Sequence, residues 1–232
     1  MALSEAEWTA LALSLQVSLT ATLVALPLAL WVAWVLARKS FWGKSVLNAA
    51  VHLPLVLPPV VTGYLLLIGF GRNGPVGALL YDWFGISFAF RWTGAALAAG
   101  IMGFPLMVRA MRLAIEAVDP RLEQAAATLG TPGHAIFARV TLPLILPGVL
   151  AGAVMGFAKA MGEFGATITF VANIPGQTQT LPSAIYAFLQ VPGGEGAAAR
   201  LVALALIVAL GAVVVSEWLA RRVARRIAGQ DA

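Results

Sequence analysis

Five apolar runs, each close to the length of a bilayer crossing, leave this chain almost no way to fold in water. They cover about Leu11–Ala37, Val46–Phe70, Thr93–Val108, Val140–Met161 and Leu201–Ala220. A membrane helix needs roughly 17–25 such residues, and the third run reaches that length only by borrowing its flanks. The chain is 60% hydrophobic and 11% charged, where a soluble domain carries roughly 25% charge. In hydrocarbon every backbone N–H and C=O must be bonded within the protein, so such runs are helices. The expected fold is all-α and integral to a membrane: one bundle of about five spans over residues 1–232. That length leaves no room for a separate catalytic domain. The first run exceeds a secretory signal core and follows acidic rather than basic residues, Glu5 and Glu7, so it is expected to be a retained span.

Lysine and arginine set the expected orientation. Arg38, Lys39 and Lys44 follow the first run, Arg109, Arg112, Arg121 and Arg139 flank the segment between runs three and four, and Arg221, Arg222, Arg225 and Arg226 follow the fifth. The alternate loops carry only Arg72, Arg91 and Arg200. This bias predicts a multi-pass protein of the inner membrane with the N-terminus outside and the C-terminus in the cytoplasm. The net charge of +5 then reports topology rather than nucleic-acid binding. A sixth span would break the parity. The segment Leu181–Gln190 is too short to cross and is expected to lie at, or dip into, the outer face.

Two runs carry unusual punctuation. Pro54, Pro58 and Pro59 interrupt the second, and each proline removes a backbone donor and crowds the preceding turn. Either this is a kinked helix lining a pathway or it is a bent packing helix. Gly148, Gly152 and Gly156 form a four-residue stripe in the fourth run, and Ala96, Ala99, Gly100 and Gly103 give the third a similar face. Small residues let helices approach closely, whether inside one subunit or across a dimer seam.

Residues 119–139 differ from everything around them. Asp119 is suited to cap a helix and Pro120 to start it. Gly130 can end it with positive φ, and Thr131 and Pro132 repeat the cap-plus-proline start. Leu122, Ala125, Ala126 and Leu129 share one apolar face at i, i+3, i+4 and i+7, with Arg121, Glu123, Gln124 and Thr128 elsewhere. The polar face is mixed in sign, unlike that of a helix lying on lipid headgroups. A helix with a small-residue face fits a groove on a partner protein.

The spacing Gln124, Ala125, Ala126, Gly130, Val140, Leu142, Pro143 resembles the EAA loop of ABC-importer permeases, E-A-A-x3-G-x9-I-x-L-P. Gln124 takes the acidic place, with Glu123 one residue earlier, and Val140 replaces isoleucine. LARKSFWGKSVLNAAVHLPLVLPPVVTGYLLL (36–67) and GEFGATITFVANIPGQTQTLPSAIY (162–186) are similar to the oxyanion branch of that family, nearest its molybdate permeases. Sulfate/thiosulfate permeases share a similar Gly-Glu-Phe/Tyr-Gly run, and tungstate is a further alternative substrate. The resemblance implies a non-enzymatic translocation subunit that forms a homodimer. It also implies two ATP-binding cassette subunits, which hold ATP and Mg, and a periplasmic oxyanion-binding protein. The implied coupling residues are Arg121, Glu123, Gln124, Ala125, Ala126, Gly130 and Pro132.

The residues themselves offer no motor and no chemistry. Gly43-Lys44-Ser45 ends like a phosphate-binding loop, but Arg38 stands where that motif needs its first glycine. There is no cysteine, and His52 and His134 have no metal-spaced companion. No cofactor is expected on this chain, and an intramembrane enzyme lacks its parts. A channel or ion-driven carrier would need no docking helix. Candidate pathway or gate residues are Pro58, Pro59, Lys159, Glu163, Thr167 and Thr169. Charges within a span are functional suspects, although Lys159 and Glu163, at i and i+4, read more readily as a structural pair. Thr167, Thr169, Asn173 and Gln177 would offer neutral donors to an anion that must bind weakly and leave.

Overall fold

Ser4 starts the first helix with a capping box. Its hydroxyl accepts from the Glu7 N–H, and Glu7 Oε2 accepts from the Ser4 N–H at 2.7 Å, satisfying two donors that a helix start leaves open. The structure, a computed structural model, describes residues 3–227; after residue 215, side chains are described only at Glu217, Trp218 and Arg222. The expected basic run at Arg221, Arg225 and Arg226 therefore lies, in its side chains, outside the described residues. All regular elements among the described residues are helical.

Helix α1 spans Glu5–Arg38, about 50 Å at 1.5 Å per residue, so it outreaches the hydrocarbon core. Then follow α2 (Lys44–Val56), α3 (Pro59–Phe70), α4 (Pro75–Phe84), α5 (Trp92–Ala117) and α6 (Pro120–Thr128). Next, α7 (Gly133–Ile136) runs through a π turn, Phe137–Thr141, into α8 (Leu142–Met161). Helices α9 (Gly165–Val171), α10 (Leu181–Leu189) and α11 (Glu195–Ile227) complete the chain. Four helical stretches are long and apolar enough to cross a membrane, and the α2–α3 pair makes a fifth if counted as one bent span.

Two buried clusters divide the bundle along its length. Near the α6 insert, Ala29, Val32 and Leu36 of α1 pack with Met107, Met111 and Ile115 of α5 and Ile145 of α8. Towards the opposite end, Val17 and Ala21 pack with Ala95, Ala99 and Met102, with Ala160 and with Phe170. The pairing makes α1 and α5 parallel and α8 antiparallel to both. A third cluster at that far end joins Ala10, Leu11, Met161, Leu181, Ala184 and Leu201. It seats α10 against the starts of α1 and α11, where the sequence places a non-crossing helix.

The glycine stripe of α8 packs within this one chain. A Cβ on Gly148 would meet the Ala114 side chain, and on Gly152 it would lie 3.2 Å from the Met107 carbonyl oxygen. A Cβ on Gly103 would lie 3.0 Å from the Gly156 carbonyl oxygen. Of the small-residue face on α5, Ala96 and Gly100 instead line an open apolar groove between α1, α2 and α5.

The second run departs from both expectations, a kinked helix and a bent one. It is broken, not kinked: α2 and α3 meet at 113°. Leu57 and Pro58 between them are extended, with ψ of 142° and 135°. The cause is local. Pro58 forces Leu57 out of helical geometry, Pro59 does the same to Pro58, and Pro59 then opens α3 at its first position. Pro54 stays inside α2. Val51 belongs to the cluster near the insert and Leu66 to the far one, so the pair still passes from one end to the other. Two short helices lie outside the sequence-based expectations: α4, in a stretch read as loop, and α9, directly after Glu163.

Candidate coupling insert and gate region

Asp119 caps α6 by accepting from the Arg121 N–H at 2.9 Å, and Pro120 is the first helical residue. At the other end Gly130 has φ of 78°. Its N–H donates to the Ala127 carbonyl, and the Thr131 N–H donates to the Ala126 carbonyl at 3.3 Å. These are the two bonds of a Schellman motif, which needs one left-handed residue at the turn. No atom lies within 4 Å of where a Gly130 Cβ would sit, so glycine is there for backbone freedom alone. The next start is one residue later than expected. Pro132 itself is the N-cap of α7, with no side-chain cap bond, because proline's missing N–H suits the edge of a helix as well as its first turn.

The insert buries no residue of α6. Leu122 is 48% exposed and Leu129 86% exposed. With Ala125, also exposed, they make an outward apolar face, while Ala126, expected on that face, is half-buried. Arg121 and Gln124 are exposed. Glu123 differs from the rest of the polar set by turning back towards the bundle. Its Oε1 accepts from Arg38 Nη2 at 3.1 Å and from the Thr141 hydroxyl at 2.8 Å. Arg38 Nη2 also donates to the Val118 carbonyl at 3.2 Å. Composition gave Arg38 only a topological role. Its partner lies 85 residues away, beyond any local pattern.

At the far end the structure brings most of the gate candidates together. A Cβ on Gly165 would lie 2.8 Å from the Pro59 ring, and one on Gly63 would lie 2.5 Å from the Ala166 carbonyl oxygen and 2.9 Å from Thr169 Cβ. The proline break therefore seats directly on the first turn of α9. Lys159 Nζ donates to Glu163 Oε2 at 2.9 Å. Glu163 is 2% exposed, and its other oxygen accepts from the Ala166 N–H at 2.9 Å. This carboxylate both neutralises a cation and caps α9, so the pair has a structural role. The Thr167 hydroxyl donates to the Phe164 carbonyl and that of Thr169 to the Gly165 carbonyl. Pro58 and Pro59 are exposed, Thr169 is half-buried and Thr167 buried. Just beyond, Ala172 holds φ of 63°, strained for a residue with a Cβ, and Asn173 Oδ1 is buried without a partner. Gln177 is exposed.

Residues 25–229 match the family model described as "Binding-protein-dependent transport system inner membrane component". The chain belongs to that family. It is 56% identical over 230 residues to the Molybdenum transport system permease protein ModB of Escherichia coli (strain K12), covering 99% of this chain and 100% of that protein. Against the Sulfate transport system permease protein CysW of Synechocystis it is 36% identical over 201 residues, covering 84% of this chain and 72% of the relative. Among solved structures it resembles a bacterial ABC transporter involved in the import of the acidic polysaccharide alginate, with TM-score 0.75, 20% identity, and 94% and 80% of the two chains covered. It also resembles the MetNI methionine ABC transporter in an inward-facing conformation, with TM-score 0.70, 16% identity and 94% of each chain covered. At these identities the structural likeness establishes the fold. The chain is thus an all-helical, multi-pass, non-catalytic permease subunit of an ABC importer.

Proposed function

We propose that this chain is the membrane subunit of an ATP-driven molybdate importer. It works as a homodimer, with one ATP-binding subunit docked on the insert of each copy and a periplasmic binding protein delivering the anion. ATP and Mg reside on the partner subunits. The insert and C-terminus face the cytoplasm, and the end bearing α4, α9 and α10 faces outwards. The observation that carries the reading is the insert: a capped helix, held on one side by Glu123, that turns Leu122, Ala125 and Leu129 away from its own body. Such a face stays soluble by docking in a groove. The higher identity to the molybdenum permease than to the sulfate permease favours molybdate. The open groove lined by Ala96 and Gly100 offers a seam for the second copy.

In this mechanism ATP draws the two partner subunits together, the inserts follow, and the bundles rock from inward-open to outward-open. The anion enters from the binding protein, and hydrolysis resets the gate. Arg121, Gln124, Ala125, Ala126 and Gly130 shape the docked surface, and Pro132 directs the chain back to α8. The gate is the place where the Pro58–Pro59 break meets Gly165, with Lys159, Glu163, Thr167 and Thr169 around it. The test is co-purification of the tagged chain with its ATP-binding subunit, followed by ATP hydrolysis in liposomes with molybdate-loaded binding protein. Stimulation by molybdate above sulfate is expected. A chain that recovers no ATP-binding subunit, or transports with none, ends the proposal.

A further inference from the structure

The exposed face of α6 explains docking but not how a pull on α6 reaches the gate. Helix α6 has no buried residue, so apolar packing holds it weakly. Its other polar side-chain bonds are internal: Asp119 caps its own helix and the Thr128 hydroxyl returns to the Ala125 carbonyl. Among the described residues, Glu123 is the one α6 side chain that bonds another element. It does so at a junction of four. Arg38 is the last residue of α1, Val118 is the C-cap of α5, and Thr141, 1% exposed, closes the π turn that leads into α8. The Leu142 N–H there bonds back to the Phe137 carbonyl, an i→i+5 bond. Such wide turns are rare and recur at functional sites. The three helices tied at this point are those that run through both buried clusters.

We infer that Glu123 is the pin that transmits displacement of α6 to α1, α5 and α8. The inference rests on the docking reading above and assigns Glu123 a role facing away from the partner subunit. It predicts a separation that a docking residue would not show. In the full complex, Glu123→Ala lowers molybdate import far more than it lowers recovery of the ATP-binding subunit or basal ATP hydrolysis. Molybdate import per ATP hydrolysed, measured in liposomes with the binding protein, falls about tenfold, the order expected on removing a member of a coupling network. Glu123→Gln keeps the side-chain size and the bond from Thr141 and gives a smaller fall in the same ratio. It serves if Glu123→Ala does not reach the membrane at parental level. Reversing the charges, Arg38→Glu with Glu123→Arg, recovers part of what either single change loses; recovery is incomplete because Val118 loses its donor.

An unchanged import-to-hydrolysis ratio in Glu123→Gln and Glu123→Ala overturns the pin. So does loss of the ATP-binding subunit on Glu123→Ala in step with the loss of import, which would make Glu123 a docking contact. Absence of recovery in the reversed pair removes Arg38 from the device. If the parental chain itself recovers no ATP-binding subunit, the docking reading fails instead.

Discussion

Gly130 gives the sharpest test of how the insert is built. Its φ is 78° and the space a Cβ would enter is open to 4 Å, so substitution there adds no clash with the rest of the chain. Only backbone strain remains. Alanine in the left-handed region costs about 1 kcal/mol, which shifts the local equilibrium away from the closed turn about fivefold at 25 °C. Asparagine visits that region more readily and costs less. Proline cannot adopt the angle at all, and it deletes the N–H that bonds Ala127, so its cost is about 3 kcal/mol or more. Amide hydrogen exchange over residues 120–133 of the purified chain reads these shifts directly. The Thr131 amide should exchange about fivefold faster in Gly130→Ala, less so in Gly130→Asn, and without protection in Gly130→Pro. Co-purification with the ATP-binding subunit should fall in the same order. Protection in Gly130→Pro equal to the parent, or alanine tolerated better than asparagine, would refute the assignment of this turn.

Other outcomes follow from contacts at the far end. Gly63→Ala places a methyl 2.5 Å from the Ala166 carbonyl, and parting α3 from α9 should cost about 1–3 kcal/mol, read as a lower thermal midpoint in detergent. Arg200→Ala leaves Glu7, which is fully buried, without the partner now 2.8 Å away. A loss of about 1–3 kcal/mol is expected, less than for a wholly buried pair because Arg200 is partly exposed; Arg200→Lys should recover some of it in the same melt. Thr167→Val and Thr169→Val should lower molybdate uptake with the ATP-binding subunit still attached, and normal uptake in both would take these hydroxyls out of the pathway.

Most of the spans and the first helix of the insert, from its Asp119 cap to its Gly130 stop, were legible in the sequence because their causes are local. Hydropathy over a helix length, an Asp-Pro start and a glycine stop act within a few residues. The same holds for Lys159 and Glu163, where i,i+4 spacing named the pair. What it could not supply was burial and the second duty of Glu163 as the cap of α9, since that depends on where α9 packs. The proline break was visible in residues 54–59, yet its angle was not. Pro54 remains helical, Pro58 is extended and Pro59 restarts the helix, and the direction of α3 is set by Gly63 fitting against α9 and by Gly165, the first residue of α9, fitting against Pro59. The Arg38–Glu123 bond lay furthest from view. Each residue taken alone looks like an ordinary charge at a helix end, and only the fold brings them together.

The two extended residues between α2 and α3 also bear on how motion passes down the molecule. A continuous helix carries torsion along its ladder of hydrogen bonds, whereas Leu57 and Pro58 interrupt that ladder. The α2–α3 crossing therefore behaves as a universal joint beside three stiff struts. Its α3 arm can swing with α9 while its α2 arm stays with the end that carries the insert, so the contact of Pro59 with Gly165 can turn without rebuilding the wall beside α2.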